Sequence, residues 1–143
     1  FQGCSHNCPG CHNPETHDVN GGYFKEISEI VEDFKKYPYM SGLTLSGGEP
    51  FLQKNEILEL ILAFKTLFPQ KNIVIFTGFT FEELSKLNDT SINKVLENTD
   101  YLIDGKFILE QRDISLKFRG SSNQRIIDLK KTLSSNEIII KEF

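Results

Sequence analysis

The residues best suited to chemistry are three cysteines near the start of the chain. Cys4, Cys8 and Cys11 form a C-x3-C-x2-C loop, and the chain has no other cysteine. An odd, clustered set is a poor disulfide framework and favours a metal or cluster in a reducing compartment. Because [4Fe–4S] clusters are commonly held by four cysteine thiolates, three cysteines would leave one iron without a protein ligand. Substrates bind at such an open coordination site in catalytic metal centres.

A structural zinc ion is the alternative that the cysteine loop leaves open. Zinc sites of the Cys3His type combine three thiolates with one imidazole, and the chain offers His6, His12 or His17 as the fourth ligand. A disulfide with one spare thiol is a third reading. The loop by itself favours a cluster, but it does not exclude a zinc-stabilised interaction module without catalysis.

A second motif, Ser-Gly-Gly-Glu-Pro at 46–50, follows a short apolar segment. Two glycines, Gly47 and Gly48, let backbone groups approach a ligand closely. Glu49 adds a negative charge beside that backbone, and Pro50 fixes the turn. The arrangement suits the ammonium group of an amino acid. The alternative is an ordinary strand-to-helix turn, which is common for Gly-Gly sequences.

Apolar patterns predict strands that alternate with helices along the chain. The predicted strands are 42–46, 73–76, 101–103 and 137–141. Helices are predicted over 26–37, after an Asn55 cap, after a capping box at 80–83, around 92–96 and around 126–129. This alternation predicts right-handed βαβ crossovers and an α/β fold with a mostly parallel sheet.

The length restricts how far such a sheet can extend. Eight βα units take about 250 residues, and the chain has 143, so we expect one domain over 1–143 with a partial, open (β/α) barrel. The sequence opens with Phe-Gln-Gly-Cys and no start methionine. We expect these first residues to end an N-terminal strand whose earlier part is missing. The polar motifs at 47–50, 77–78 and 104–106 each follow a strand, at the edge where α/β sheets bind ligands.

Charge and hydropathy restrict the classes of partner that the protein can bind. The formal net charge is −4, so the overall field repels nucleic acid and anionic membranes. No apolar run approaches the roughly 20 residues that a membrane span needs. A protein or a small molecule is therefore the expected partner.

The cysteine loop followed by a strand ending in Gly-Gly-Glu-Pro resembles the radical SAM superfamily. The resemblance implies a [4Fe–4S] cluster on Cys4, Cys8 and Cys11, with S-adenosylmethionine (SAM) chelating the open iron. The reduced cluster would pass an electron to the sulfonium, giving methionine and a 5′-deoxyadenosyl radical that abstracts a hydrogen atom. With both motifs present in order, a cluster is expected rather than zinc.

A narrower resemblance rests on motifs spread from 4 to 128. These are Cys-His-Asn-Pro-Glu-Thr at 11–16, Leu-Thr-Leu-Ser-Gly-Gly-Glu-Pro at 43–50, Thr-Gly at 77–78, Tyr-Leu-Ile-Asp-Gly-Lys-Phe at 101–107 and Arg-Gly-Ser-Ser-Asn-Gln-Arg at 119–125. Together they resemble the family of activating proteins of anaerobic ribonucleoside-triphosphate reductase. The resemblance implies a glycyl-radical activase that removes the α-hydrogen of a glycine in the large reductase subunit. Another glycyl-radical enzyme or a small metabolite is the alternative substrate.

The resemblance also implies residues that contact SAM: Gly10, Cys11, His12, Gly47, Gly48, Glu49, Thr77, Asp104 and Lys106. The first three would place backbone beside the adenine, the next three would hold the methionine ammonium, and the last three lie at strand ends. Asp104 is equally well explained as a turn residue before Gly105. Lys106 is better explained as a solvated lysine, as most lysines are. The run at 119–125 is either a polar loop before a helix or a docking surface for the large subunit.

The resemblance further implies a cytoplasmic protein of an organism able to live without oxygen. It also implies a low-potential electron donor such as flavodoxin. A homodimer is compatible with the sequence.

Overall fold

Four short strands form one open sheet in the order β1-β2-β3-β4 in a computed structural model that describes all residues, 1–143. The strands are β1 Gly42–Leu45, β2 Asn72–Phe76, β3 Tyr101–Asp104 and β4 Arg125–Asp128. The first three are parallel, whereas β4 runs antiparallel to β3. The sheet is therefore mixed, and the prediction of a mostly parallel sheet holds for its first three strands.

Five α-helices connect or flank these strands: α1 Ile27–Lys35, α2 Lys54–Leu67, α3 Phe81–Lys86, α4 Thr90–Glu97 and α5 Leu129–Ser135. Local hydrogen bonds explain where three of them begin. The predicted capping box at α3 is confirmed, because Thr80 accepts from the Glu83 N–H while the Glu83 side chain accepts from the Thr80 N–H. Asp89 and Asp128 cap α4 and α5 with a single bond each, their side chains accepting from a first-turn N–H.

The helices pack in series on the sheet, α1 against α2, α2 against α4, and α4 against α5. Between them and the strands lies a core that includes Ile73, Ile75, Leu102 and Ile127, all fully buried. The order of the three parallel strands does not reverse, as it does in doubly wound sheets. This order is compatible with the predicted open barrel, which remains a prediction.

Two predicted helix positions are wrong. Asn55 does not cap α2, because a 3-10 turn at Pro50–Gln53 leads directly into the helix and places its first residue at Lys54. Ile126 and Ile127 belong to β4 rather than to a helix, since pairing with β3 buries both side chains. The helix predicted around 126–129 begins only at Leu129, after the Asp128 cap.

The predicted late strand at 137–141 is also wrong. Ile140 makes a single antiparallel bridge to Ile127, flanked by hydrogen bonds from the Asp128 N–H to the Ile139 carbonyl (2.9 Å) and from the Lys141 N–H to the Ile126 carbonyl (2.7 Å). The Ile139 N–H instead donates to the Thr132 hydroxyl on α5. The segment therefore contacts the sheet at one point and does not continue as a strand.

None of the helices combines the length and the apolar character required to cross a membrane.

Candidate functional site

The three polar motifs that follow β1, β2 and β3 meet at the carboxyl-terminal end of these strands, as their parallel order predicts. Thr77 directly follows β2, and its N–H donates to the Ile103 carbonyl of β3 at 2.9 Å. The Thr77 hydroxyl donates to the Glu49 carboxylate beyond β1 at 2.9 Å. The sequence thus correctly predicts that these turns are neighbours.

The first residues of the chain lie against the turn that follows β1. The Phe1 amino group donates to the Ser46 carbonyl at 2.8 Å, and the Gly48 N–H donates to the Phe1 carbonyl at 2.7 Å. This is the pairing pattern of parallel strands. The Glu49 N–H adds a bond to the Gly3 carbonyl at 2.7 Å. The cysteine loop therefore starts directly from the Gly-Gly-Glu turn.

Glycine is required at both positions of this turn. A Cβ at Gly47 would lie 2.4 Å from the Phe1 carbonyl oxygen, and one at Gly48 would lie 2.3 Å from the Gly3 carbonyl oxygen. Gly47 also has φ +110°, which residues with a side chain rarely adopt. The close backbone approach that the sequence predicts for a ligand is used here by the chain's own first residues.

The Glu49 carboxylate joins the turns beyond β1 and β2 to the cysteine loop. Its side chain is 1% exposed and accepts four hydrogen bonds from the protein. The donors are the Phe51 N–H (3.0 Å), the Thr77 hydroxyl (2.9 Å), the Gly78 N–H (2.8 Å) and His6 Nε2 (2.7 Å). A carboxylate has about four lone-pair sites, so this buried group is fully satisfied.

The carbonyl oxygens of Gly47 and Gly48 differ from Glu49, because no donor of the protein hydrogen-bonds to them. Both glycines are partly exposed. Their carbonyls are therefore available to an ammonium group, whereas the Glu49 side chain is already occupied by protein donors.

The three cysteine thiols are free and partly exposed. The loop closes through a hydrogen bond from the Cys11 N–H to the Cys8 carbonyl (3.2 Å). Burial raises the pKa of the Cys8 thiol, and the neighbouring Cys4 and Cys11 raise it further. The Phe107 backbone N–H and the Lys106 ammonium act in the opposite direction. The thiols are thus close enough to repel one another once ionised, which a bound cationic iron centre would offset.

Three thiols in one loop are the donor type that iron–sulfur clusters use, and two of the three histidines that could complete a zinc site are hydrogen-bonded elsewhere. No group of three or more His, Cys, Asp or Glu side chains is arranged to hold one metal ion. Tetrahedral zinc requires its thiolates about 2.3 Å from the ion, whereas a cluster binds each thiolate through a different iron. His6 is paired with Glu49, and His12 lies beside Asn13 at 3.2 Å.

The segment after β3 covers the cysteine loop. A Cβ at Gly10 would lie 2.9 Å from the Leu109 side chain and 3.4 Å from the Phe107 ring. On its other side the Phe107 ring lies against Gly120, where a Cβ would come within 3.0 Å. Gly10 is therefore in contact with protein side chains. Its predicted place beside the adenine of SAM remains a prediction.

The run at 119–125 folds back on this covering segment. Ser121 is fully buried and accepts from the Ile108 N–H (3.2 Å). Asn123 donates to the Lys106 carbonyl (2.8 Å), and Gln124 donates to the Gly105 carbonyl (2.9 Å). The run is thus a support for the segment over the cysteines. Sequence reasoning missed this role, because the bonds are to backbone atoms that no motif identifies.

Asp104 is 1% exposed and is held by Arg125. The Arg125 guanidinium donates to both Asp104 oxygens and, with bonds of 3.0 and 2.7 Å, to both Glu82 oxygens. The Phe81 N–H also donates to Asp104 (2.8 Å). Asp104 is therefore more than a turn residue, since it ties β3 to β4 and to the start of α3. Lys106 is exposed, and SAM contacts of either residue remain predictions.

Comparison with known proteins adds independent observations. Residues 1–127 match the family model described as a 4Fe-4S single cluster domain. A relative from Vibrio cholerae, named anaerobic ribonucleoside-triphosphate reductase-activating protein, is 42% identical over 87% of this chain and 81% of its own length. Proteins of the same name from Escherichia coli strain K12 and Enterobacteria phage T4 are 36% and 35% identical, over 90% and 87% of this chain and 84% and 78% of their own lengths.

The match to a 4Fe-4S domain agrees with the three free thiols of the loop and favours the cluster over zinc. The identities extend over most of both chains. The resemblance read from the motifs is thereby confirmed, and the chain belongs to the anaerobic ribonucleoside-triphosphate reductase-activating protein family.

Proposed function

We propose that this chain activates anaerobic ribonucleoside-triphosphate reductase by reductive cleavage of SAM at a [4Fe–4S] cluster. The observation that carries the proposal is a loop of three free thiols hydrogen-bonded to the Gly-Gly-Glu turn, in a chain whose relatives are named for that activation. One electron and SAM would give methionine and a 5′-deoxyadenosyl radical. That radical would take a hydrogen atom from a glycine of the large subunit, leaving 5′-deoxyadenosine and a glycyl radical.

Cys4, Cys8 and Cys11 would hold the cluster as thiolates, because all three belong to one loop and none is in a disulfide. When bound, the cluster supplies the low-potential electron and, at its iron without a cysteine, a coordination site. The Phe107 and Leu109 side chains beside Gly10 would limit access of water and oxidants to the loop.

The turn after β1 would bind the amino-acid part of SAM. The free carbonyls of Gly47 and Gly48 would accept hydrogen bonds from the methionine ammonium. The oxygens of Glu49 already accept four protein donors. Glu49 would therefore attract the ammonium by its negative charge and hold the turn in place, rather than bond to the ammonium directly. The segment of Gly10, Cys11 and His12 would lie beside the adenine.

The remaining assignments concern the partner proteins and the cellular compartment. The substrate would be the glycine-bearing large reductase subunit, and a flavodoxin-like protein would supply the electron. We place the reaction in the cytoplasm, because its reducing conditions keep thiols free. A homodimer is compatible with this proposal.

Anaerobic reconstitution tests the proposal in two steps. The protein is loaded with iron and sulfide, reduced and mixed with SAM, and 5′-deoxyadenosine is measured by chromatography. Its formation is expected, and its absence would refute the cleavage of SAM. The large reductase subunit is then added, and electron paramagnetic resonance should detect a glycyl radical. If 5′-deoxyadenosine forms without that radical, the substrate is another glycyl-radical enzyme or a small metabolite.

A further inference from the structure

His6 lies between Cys4 and Cys8, yet its side chain is only 7% exposed. The imidazole occupies a slot formed by the turns after β1 and β2. Its Nε2 lies 2.7 Å from Glu49 Oε2, and its ring meets the Phe79 ring edge-on with centroids 4.6 Å apart. The ring is thus the part of the cysteine loop that enters the protein interior.

The slot is built for a flat ring. A Cβ at Gly78 would lie 2.4 Å from His6 Cδ2, so the third wall is a backbone without a side chain. The Gly78 N–H donates to the same Glu49 oxygen as His6, at 2.8 Å. Glu49 therefore holds the turn after β2 and the cysteine loop through one atom.

His6 has no need to be a metal ligand to explain its burial. A buried carboxylate is costly unless donors surround it, and His6 supplies one of the four that Glu49 receives. Mutation of groups that orient metal ligands typically costs about 10- to 100-fold in metal affinity or activity.

We propose that His6 is a positioning residue. Its imidazole anchors the cysteine loop to Glu49 and so fixes the loop relative to the carbonyls of Gly47 and Gly48. The anchoring follows from contacts within this chain. Its consequence for SAM rests on the proposed function.

Two substitutions at His6 distinguish the effect of its hydrogen bond to Glu49 from the effect of the imidazole ring itself. In His6→Gln the amide nitrogen can reach the position of Nε2 and donate to Glu49. In His6→Asn the amide is one bond too short. His17→Gln is the matched control, because that imidazole makes no hydrogen bond in the structure and lies outside the slot.

The first measurement is amide hydrogen exchange of the protein without iron. Losing a hydrogen bond worth about 1.4 kcal/mol corresponds to about a tenfold change. We expect exchange of the Cys11 and Gly78 amides to accelerate about tenfold in His6→Asn and to stay within about threefold of the parent in His6→Gln and His17→Gln. The Ile75 amide in β2 should be unchanged in all three.

The second measurement is 5′-deoxyadenosine formation by the reconstituted proteins. His6→Asn should bind the parental amount of iron but show a KM for SAM raised about tenfold, with kcat less affected. His6→Gln should retain the parental KM.

Parental exchange and KM in His6→Asn would overturn the proposal. So would a His6→Gln protein as impaired as His6→Asn, since the ring would then serve something other than the bond to Glu49. If His6→Asn does not fold, His6→Gln decides alone by the same two criteria. If even the parent forms no 5′-deoxyadenosine, the proposed function fails, while hydrogen exchange still decides whether His6 is the anchor.

Discussion

At the scale of single residues, the assignment of a cluster depends on the thiol of Cys8. Cys8 is the middle cysteine of the loop, and Cys4 and Cys11 both raise the pKa of its thiol. We expect Cys8→Ala to lose the bound iron and the brown colour after reconstitution, because two thiolates cannot hold a cluster that commonly uses four. Iron and acid-labile sulfide assays check this. Ser5→Ala, an exposed position in the same loop, should keep the parental content, and a brown Cys8→Ala protein with unchanged iron would contradict the ligand set.

Close backbone contact at Gly48 leaves no room for a side chain in the turn beside the cysteine loop. In Gly48→Ala the new Cβ would lie 2.3 Å from the Gly3 carbonyl oxygen, which already accepts from the Glu49 N–H. Overpacking of this kind costs about 1–3 kcal/mol, and we expect that loss in urea unfolding of the protein without iron. Gly21→Ala is the control, because the nearest group to its Cβ would be the side-chain amide of Gln2 (2.6 Å), which can shift at the cost of its bonds to the Glu15 and Asp18 carbonyls, while the nearest backbone atom is 3.4 Å away. Equal stability of the two variants would show that the first residues move aside freely.

The sequence predicts the cysteines and the Gly-Gly-Glu turn because their chemistry depends on local spacing. It does not predict the role of His6, which as a residue type near cysteines is first interpreted as a zinc ligand. Its partner Glu49 is 43 residues away, and only the fold brings the two together. The same holds for Asp104, whose bonds to Arg125 depend on a strand pairing that the sequence did not predict.

At the scale of elements, Arg125 connects β3, β4 and α3 through two carboxylates. In Arg125→Met the Asp104 carboxylate, 1% exposed, would remain buried without its cation. Breaking such a pair costs about 3–5 kcal/mol when both groups are buried. We expect about 3 kcal/mol, because Arg125 itself is 30% exposed. Urea unfolding measures the loss. Lys35→Met removes an exposed pair with Glu32 and should change stability by less than about 1 kcal/mol.

The same network makes the stability contributed by Glu82 on α3 depend on pH. Hydrogen bonds from Arg125 lower the pKa of Glu82 from 4.5 to about 2. A carboxyl whose pKa is lower in the folded state stabilises that state above its unfolded pKa and loses the effect as pH falls through the folded value. We expect Glu82→Gln to be less stable than the parent at pH 7, and the difference to shrink between pH 4.5 and about 2. Unfolding curves of both proteins across this range check it, and a difference independent of pH would contradict it.

The alternation of elements is predicted well up to β3, because the helices there show an apolar period or a capping box and each strand is a short apolar run followed by a turn. The chain after β3 is predicted poorly. The isoleucines at 126 and 127 and those at 138–140 form short apolar runs that fit a strand or a helix equally. Pairing with β3 makes the first run a strand, while the second keeps a single bridge.

At the scale of the whole molecule, one edge of the sheet is open. Ser41 bonds to β2 and Ser46 to Phe1, so the backbone groups of Gly42 and Thr44 face away from β2. Beside this edge lies a groove of about 1390 Å³ between β1, α1 and α2. Its lining includes Leu43 and Leu60, and the exposed Phe24 side chain lies in the same groove.

The bonds of Phe1 set the direction in which this edge can be filled. Residues joined ahead of Phe1 would continue its parallel pairing along Thr44 and Gly42. We therefore expect a chain extended by four alternating β-branched and polar residues to have a higher free energy of unfolding and slower exchange of the Thr44 amide. The Leu45 amide, which faces β2, should be unchanged. A Gly-Ser extension of equal length is the control, because it has little strand propensity. If neither extension protects Thr44, the open edge of β1 does not accept a fifth strand. Equal protection by both would show that pairing at this edge does not depend on strand propensity.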